Sequence, residues 1–296
     1  MASRSDVRPL ALVTGLGGFT GRHVGRRLEA DGYRVSGLVC DHADVDLLDR
    51  DAVRVAIAKL SPDVVVHLAA ISFVAQGDAD AIYRVNVVGT RNLLEALADL
   101  PRPPRVVVLA SSANVYGNAS DDPITEESEP RPANDYAVSK LAMEYMARLW
   151  SDQLPIVITR PFNYTGVGQG KQFLIPKIVE HFRRRAHSIE LGNLNIRRDF
   201  SDVRSVAEAY ARLVGAAPSG NVFNLCSGVE YSLNDVLAMM GDIAGYRIEV
   251  NVNPAFVRAN EVVRLAGSNR RLHEAVGLIE PIALRDTLRW MYAEPE

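Results

Sequence analysis

The stretch Thr14-Gly15-Leu16-Gly17-Gly18-Phe19-Thr20-Gly21 leaves this chain few ways to begin. Gly15, Gly18 and Gly21 stand three residues apart. They come directly after an apolar run, 10–14, and directly before an amphipathic one, 21–31. A strand that ends in such a turn and leads into a helix starts a βαβ unit. The first glycine permits the tight turn, the second lets backbone approach a pyrophosphate, and the third lets the helix pack on the strand. The helix N-terminus brings N–H groups and partial positive charge to the same place. A phosphate loop of the Walker type is excluded, because no Gly-Lys-Ser or Gly-Lys-Thr occurs.

The first half of the chain repeats the alternation. Strands are predicted at 34–40, 63–69, 105–111 and 155–160, and helices at 49–60, 80–100 and 136–153. Continuous apolar strands between helices predict a parallel sheet covered on both faces, and right-handed crossovers make it doubly wound. Beyond Arg160 the pattern loosens into helices at 173–186, 202–215 and 232–245 and strands at 221–226 and 247–252. The expected fold is α/β. A Rossmann sheet for NAD(P) takes 1–162 plus about 196–226, and a smaller C-terminal α/β substrate lobe takes about 163–195 plus 227–296. The net charge of -3, with both signs mixed along the chain, offers no bulk attraction to nucleic acid or membrane. No apolar run approaches the ~20 residues of a bilayer span, and residues 1–9 lack the apolar core of a signal peptide. With two cysteines, Cys40 and Cys226, reduced thiols and a cytoplasmic location are expected, and no metal site.

An acid at the end of the second strand would hold the adenosine ribose and select NAD, whereas an arginine would select NADP. The strand end here reads Gly37-Leu38-Val39-Cys40-Asp41. Val39 stands where the acid is expected and no arginine follows; Asp41 serves if the strand runs on. NADPH and NADH both stay open as cofactor. Asp46-Leu47 is either a carboxylate near the adenine amino group or an exposed loop aspartate.

In Tyr136-Ala-Val-Ser-Lys140 a phenol and an ammonium are four residues apart on one helix face. A phenol titrates near pH ~10, and a neighbouring ammonium lowers that value. The tyrosine can then exchange a proton with a sugar oxygen near neutral pH. Ser112, in Leu109-Ala-Ser-Ser-Ala-Asn-Val-Tyr-Gly117, falls at the C-terminal edge of a predicted parallel strand, where ligands bind. Its hydroxyl can hydrogen-bond the same oxygen. Ser112, Tyr136 and Lys140 are the expected catalytic residues.

These motifs, with His67-Leu68-Ala69-Ala70, Asn86-Val-Val-Gly-Thr90, Arg160-Pro-Phe-Asn163 and Arg198-Asp-Phe-Ser-Asp-Val203, resemble in their order the extended short-chain dehydrogenases/reductases that modify nucleotide sugars. The resemblance covers nearly the whole chain. It implies a homodimer and cofactor contacts at Gly15, Gly17, Gly18, Phe19, Thr20, Gly21, Asp46, Leu47, Leu68, Ala69, Ala70, Tyr136, Lys140 and Phe162. For the substrate it implies Ser112, Asn163, Lys177, Arg198, Arg258 and Glu261. Arg198 and Arg258 would face the diphosphate with their forked donors, and Glu261 a ribose hydroxyl.

Dehydratases of this family carry an Asp-Glu pair just after the serine or threonine. Ala113 and Asn114 stand there and can move no proton, which counts against dehydration. The runs 159–169, 198–203, 222–228 and 266–268 look like GDP-4-keto-6-deoxy-D-mannose reductases. That likeness implies hydride delivery from NADPH or NADH to a C4 ketone. The product would be GDP-D-rhamnose or GDP-6-deoxy-D-talose, a step of deoxysugar and polysaccharide biosynthesis from GDP-mannose. Two other readings stay open: an NDP-sugar 4-epimerase with tightly bound NAD, and a non-catalytic nicotinamide-sensing protein. The presence of both Tyr136 and Lys140 counts against the second.

Overall fold

The computed structural model describes residues 8–72, 78–119, 121–256 and 262–294. Its first elements are β1 (Leu10–Thr14), α1 (Phe19–Ala30), β2 (Arg34–Ser36), β3 (Val39–Cys40), β4 (Ala43–Asp44), α2 (Arg50–Leu60) and β5 (Val64–His67). Then come α3 (Ala79–Tyr83), a π-helical stretch (Arg84–Gly89), α4 (Thr90–Ala98), β6 (Val107–Ala110), α5 (Asp135–Arg148) and β7 (Ile156–Pro161). The remainder is β8 (Asn163–Thr165), α6 (Leu174–Arg183), β9 (Ser188–Leu191), β10 (Arg197–Asp202), α7 (Val203–Ala216), β11 (Val222–Leu225), β12 (Glu230–Ser232), α8 (Leu233–Ala244), β13 (Glu249–Val252), β14 (Arg264–Leu265), α9 (Arg270–Val276) and α10 (Leu284–Ala293).

A six-stranded sheet has the order β11-β7-β6-β5-β1-β2, and the pairings from β2 through β7 are parallel. Every residue of β1 and β5 is buried, as a sheet covered on both faces requires. On one face Val53 and Ile57 of α2, Leu93, Leu94 and Leu97 of α4, and Met143 and Ala147 of α5 pack with Leu12, Val65, Val107 and Ile158 into one core. Side chains alternate along a strand, so Thr159 points the other way. There it meets Tyr210 of α7 at 3.1 Å, and α7 is tied to α1 by Arg27–Glu208 at 2.5 Å.

The described residues form two compact units. The first draws on Met1–Ser111, Asn134–Thr159 and Ala207–Phe223, and the second on Ser112–Ala133, Arg160–Val206 and Asn224–Glu296. In the second unit β10 is central: it pairs with β8, β12 and β14. A second core there joins Phe182 of α6, Val236 and Met240 of α8, and Leu288 of α10.

Three details differ from the sequence expectation. Segments 112–133 and 196–206, expected with the sheet domain, belong to the second unit. Strand β10 finds its partners there, and Ile124 is bridged to Gly267. The strand expected at 34–40 stops at Ser36; the chain then forms the antiparallel pair β3–β4 around Asp41 and His42, both at positive φ, as a two-residue hairpin turn demands. The single helix expected at 80–100 contains a π-helical stretch, a feature that often marks function.

The π-helical stretch carries a buried amide whose partners lie far off in sequence. Asn86 is buried there, 1% exposed, and its amide must be satisfied inside the protein. It donates to the Ile71 carbonyl (3.2 Å) and to Ser139 Oγ of α5 (3.0 Å), and accepts from the Ile71 amide (2.9 Å). Asn86→Ala should therefore lower the unfolding free energy by about 2–4 kcal/mol in urea titrations, since it strands the Ser139 hydroxyl of α5 and the half-buried backbone of Ile71. A loss under about 0.5 kcal/mol would show that these bonds do not hold the helices together.

Candidate active site

Between β1 and β5 the strand order reverses: the chain goes from β1 to β2 on one side and returns to β5 on the other. Ligands of open α/β sheets bind at the carboxyl ends of the strands beside such a point. The glycine turn leaves β1 there, and Leu68, Ala69 and Ala70 leave β5. Gly15 has φ +71°, and a Cβ on it would stand 3.0 Å from the Ala69 amide nitrogen. A Cβ on Gly21 would stand 2.1 Å from the Gly15 carbonyl. The turn closes by Gly18 N–H donating to the Gly15 carbonyl at 3.0 Å. Gly18 also caps α1, with no side chain to accept from the first turn, and Gly17 has no atom within 4 Å of where its Cβ would be. A bare, open backbone at the positive end of a helix, where Phe19 and Thr20 begin α1, fits a pyrophosphate.

Beneath the turn runs a buried polar chain. The Ala69 amide donates to Thr14 Oγ1 (3.2 Å), and Thr14 Oγ1 lies 2.7 Å from His67 Nδ1. His67 Nε2 lies 2.8 Å from Thr90 Oγ1, which donates to the Asn86 carbonyl at 2.8 Å. Because the Thr90 hydroxyl gives its proton to Asn86, it must receive one from Nε2–H. Burial keeps the imidazole neutral, so Nδ1 is the acceptor. Burial first, and then the Lys140 charge, hold His67 down to about 3.

Helix α5 is entered through Asn134, whose side chain accepts from the Ala137 amide. Tyr136 is half-buried in its first turn, and Ser139 Oγ donates to the Tyr136 carbonyl at 2.8 Å. Lys140, 4% exposed, donates from Nζ to the Ala110 carbonyl at the end of β6 at 2.7 Å. Burial brings this ammonium down to about 8, and Glu144 pushes the other way. Ser111, next after β6, donates to Glu144 at 2.5 Å. Glu144 was not among the residues picked from sequence. The signal was present: Ser139, Lys140 and Glu144 are buried polar groups on the face that also carries Ala137, Met143 and Ala147.

Asp46 is exposed, and its carboxylate accepts from the Leu48 amide at 2.9 Å. Leu47 is buried beneath it, with its carbonyl accepting from Asn92 Nδ2. Asp41 does not extend β2; it sits at the hairpin tip and takes the Lys59 ammonium at 3.0 Å.

In the second unit, Ser112 is buried and accepts from the Asn114 amide at 3.2 Å, capping a short 3₁₀ turn (Ala113–Tyr116). Phe162 is buried, its ring centroid 6.2 Å from that of Tyr116. Asn163 is exposed at the start of β8, paired through Phe200 to β10, which carries Arg198. Arg198 donates to the carbonyls of Arg197, Val262 and Val263. Lys177 donates to the Glu190 carbonyl at 2.8 Å and lies 4.4 Å over the Phe256 ring. Arg258 and Glu261 lie outside the described residues. Among the described residues no helix is long and apolar enough to cross a membrane, and no group of His, Cys, Asp and Glu could hold a metal.

Residues 11–226 match the family described as NAD dependent epimerase/dehydratase, and the chain belongs to it. It is an NAD(P)-dependent oxidoreductase of the extended short-chain dehydrogenase/reductase kind. In sequence it is similar to GDP-6-deoxy-D-mannose reductase of Pseudomonas aeruginosa, with 35% identity over 295 residues and 96% of each chain covered. In structure it is similar to a Burkholderia cenocepacia J2315 protein provisionally named an epimerase, at 53% identity, a TM-score of 0.92 and 98% of both chains. It is also similar to RMD from Pseudomonas aeruginosa complexed with NADPH, at 33% identity, a TM-score of 0.86 and 98% of both chains.

The neutral His67 has a measurable consequence. Its folded value of about 3 lies below the unfolded 6.5, so the unfolded chain binds the extra proton between those values. Its contribution to stability is complete above about pH 6.5 and falls as the pH drops below it, by up to about 1.4 kcal/mol per pH unit. His67→Gln keeps polar groups in the chain but does not titrate. Urea unfolding at pH 5 and 7.5 should show a smaller acid loss in that variant than in wild type; equal losses would contradict the assignment.

Proposed function

We propose that this enzyme reduces the C4 ketone of a nucleotide-activated 4-keto-6-deoxyhexose with NADPH or NADH. The first candidate substrate is GDP-4-keto-6-deoxy-D-mannose, giving GDP-D-rhamnose or GDP-6-deoxy-D-talose, a step of deoxysugar and polysaccharide biosynthesis. The observation that carries this is Lys140: a buried ammonium one helical turn from Tyr136, anchored on the carbonyl at the end of β6. The similarity to a reductase of a GDP-6-deoxyhexose supports the substrate class.

The first unit is taken to bind the cofactor, with Gly15, Gly17, Gly18, Phe19, Thr20 and Gly21 on the pyrophosphate, Asp46 and Leu47 toward the adenine, and Leu68, Ala69 and Ala70 along the strand end. The bound nicotinamide supplies the hydride that goes to the sugar C4. The Tyr136 phenol gives its proton to the C4 oxygen, so that C=O becomes CH–OH and charge balances. Lys140 favours the resulting phenolate and orients the nicotinamide ribose. The Ser112 hydroxyl hydrogen-bonds the same oxygen. Phe162 would line the cofactor, and Asn163 and Arg198 would meet the sugar diphosphate. Ala113 and Asn114 lack the proton-moving groups of a dehydratase, which favours simple reduction. Val138 and Tyr145 of α5 and Leu149 at its C-cap are exposed, which suits a homodimer.

The test supplies GDP-4-keto-6-deoxy-D-mannose with either reduced cofactor, follows nicotinamide absorbance, and reads the C4 configuration from proton couplings. Oxidation of the cofactor is expected. Tyr136→Phe should lose about 10²–10⁴-fold in kcat while still binding cofactor. Inversion at C4 without net oxidation would replace reduction by epimerisation, and full activity of Tyr136→Phe would overturn the mechanism.

A further inference from the structure

The reaction as proposed makes no use of Glu144, yet it is among the least exposed charged residues described, at 1%. A carboxylate is costly to bury unless it is paired and hydrogen-bonded. It lies one helical turn beyond Lys140, on the same face of α5. The two residues grip consecutive positions of the same strand end. Lys140 Nζ donates to the Ala110 carbonyl at 2.7 Å, and Glu144 accepts from Ser111 Oγ at 2.5 Å. The residue that follows in the chain is Ser112.

Taking Tyr136 and Lys140 as the reacting pair, we propose that Glu144 is a positioning residue that keeps Lys140 protonated at the working pH and locks helix α5 to the strand end preceding Ser112. Without a neighbouring negative charge, burial drives an ammonium toward the neutral amine. Burial is the larger influence on Lys140, and Glu144 is the charge that opposes it. The other titratable groups on elements packed against α5 do not supply that charge. Tyr83 donates to Asp135, Glu95 takes Arg50, and Asp80, Arg84 and Arg91 are exposed. His67 on β5 is neutral, and Arg160 on β7 donates to Tyr116. On α5 itself Asp135, Tyr145 and Arg148 are exposed.

A neutral Lys140 no longer favours the phenolate of Tyr136. Activity should therefore fall as pH rises through the lysine's titration, and Glu144 should set where that fall begins.

The test is Glu144→Gln, which keeps an oxygen for Ser111 and removes the charge. Lys140 is followed in the full-length protein by NMR of ¹³Cε-lysine, its signal assigned with Lys140→Arg. In Glu144→Gln the Lys140 midpoint should drop by about one to three pH units, and the alkaline limit of kcat/KM should move with it. Glu144→Asp keeps the charge and carries the test if the glutamine variant does not fold. Its midpoint should stay near that of wild type while kcat falls, because the shorter side chain reaches the strand end less well. A midpoint unmoved in Glu144→Gln, or one that drops in Glu144→Asp as far as predicted for the glutamine variant, overturns the inference. Because the titration needs no substrate, it reads this inference separately from the activity. Full turnover of Lys140→Met would instead overturn the role of Lys140 in the reaction.

Discussion

The backbone of Gly15 passes so near the amide of Ala69 that a side-chain carbon would stand 3.0 Å from its nitrogen, and this half of the sheet is organised around that approach. It brings the turn after β1 against the strand end after β5, at the point where strand order reverses. A residue with a Cβ would push them apart, and the positive φ of Gly15 adds strain for any L side chain. Gly21 closes the other side, because α1 can start against the turn only if nothing lies between it and the Gly15 carbonyl.

From that contact a continuous set of hydrogen bonds reaches helix α5. It runs from the Ala69 amide through Thr14, His67 and Thr90 to the carbonyl of Asn86. The Asn86 side chain then continues through Ser139 to the carbonyl of Tyr136. Every member is buried or half-buried, so each bond lacks competition from water and leaves a costly orphan if broken. The glycine turn and the first turn of α5 are therefore held by one network. Burial of His67 beside Lys140 keeps its imidazole neutral, with Nδ1 as the acceptor.

The cationic residues of the second unit show how a long charged side chain is held in part by its own fold. Lys177 is engaged with the Glu190 carbonyl and the Phe256 ring, and Arg198 with three backbone carbonyls. Asp41 illustrates the same lesson for the acid of the second strand: strand β2 ends early, and the carboxylate goes to Lys59. A long side chain can satisfy itself within its own fold, and which partner it finds depends on elements far away in sequence.

Much was legible from the sequence, for a local reason. Glycine spacing, strand length and the Tyr136–Lys140 interval are short-range properties, set by φ/ψ sterics and helical periodicity. They determined the parallel sheet, its glycine turn and the shared face of the two side chains. Only the tertiary structure decided the π-helical stretch around Asn86, the hairpin that ends β2 early, the transfer of 112–133 and 196–206 to the second unit, and the burial of Glu144 against Ser111. Apart from the short-range hairpin, each depends on a contact across 15 or more residues, where a buried polar group or an unpaired strand finds its partner. Propensity acts along the chain, but satisfying a buried charge or a β-edge is settled only when distant segments meet.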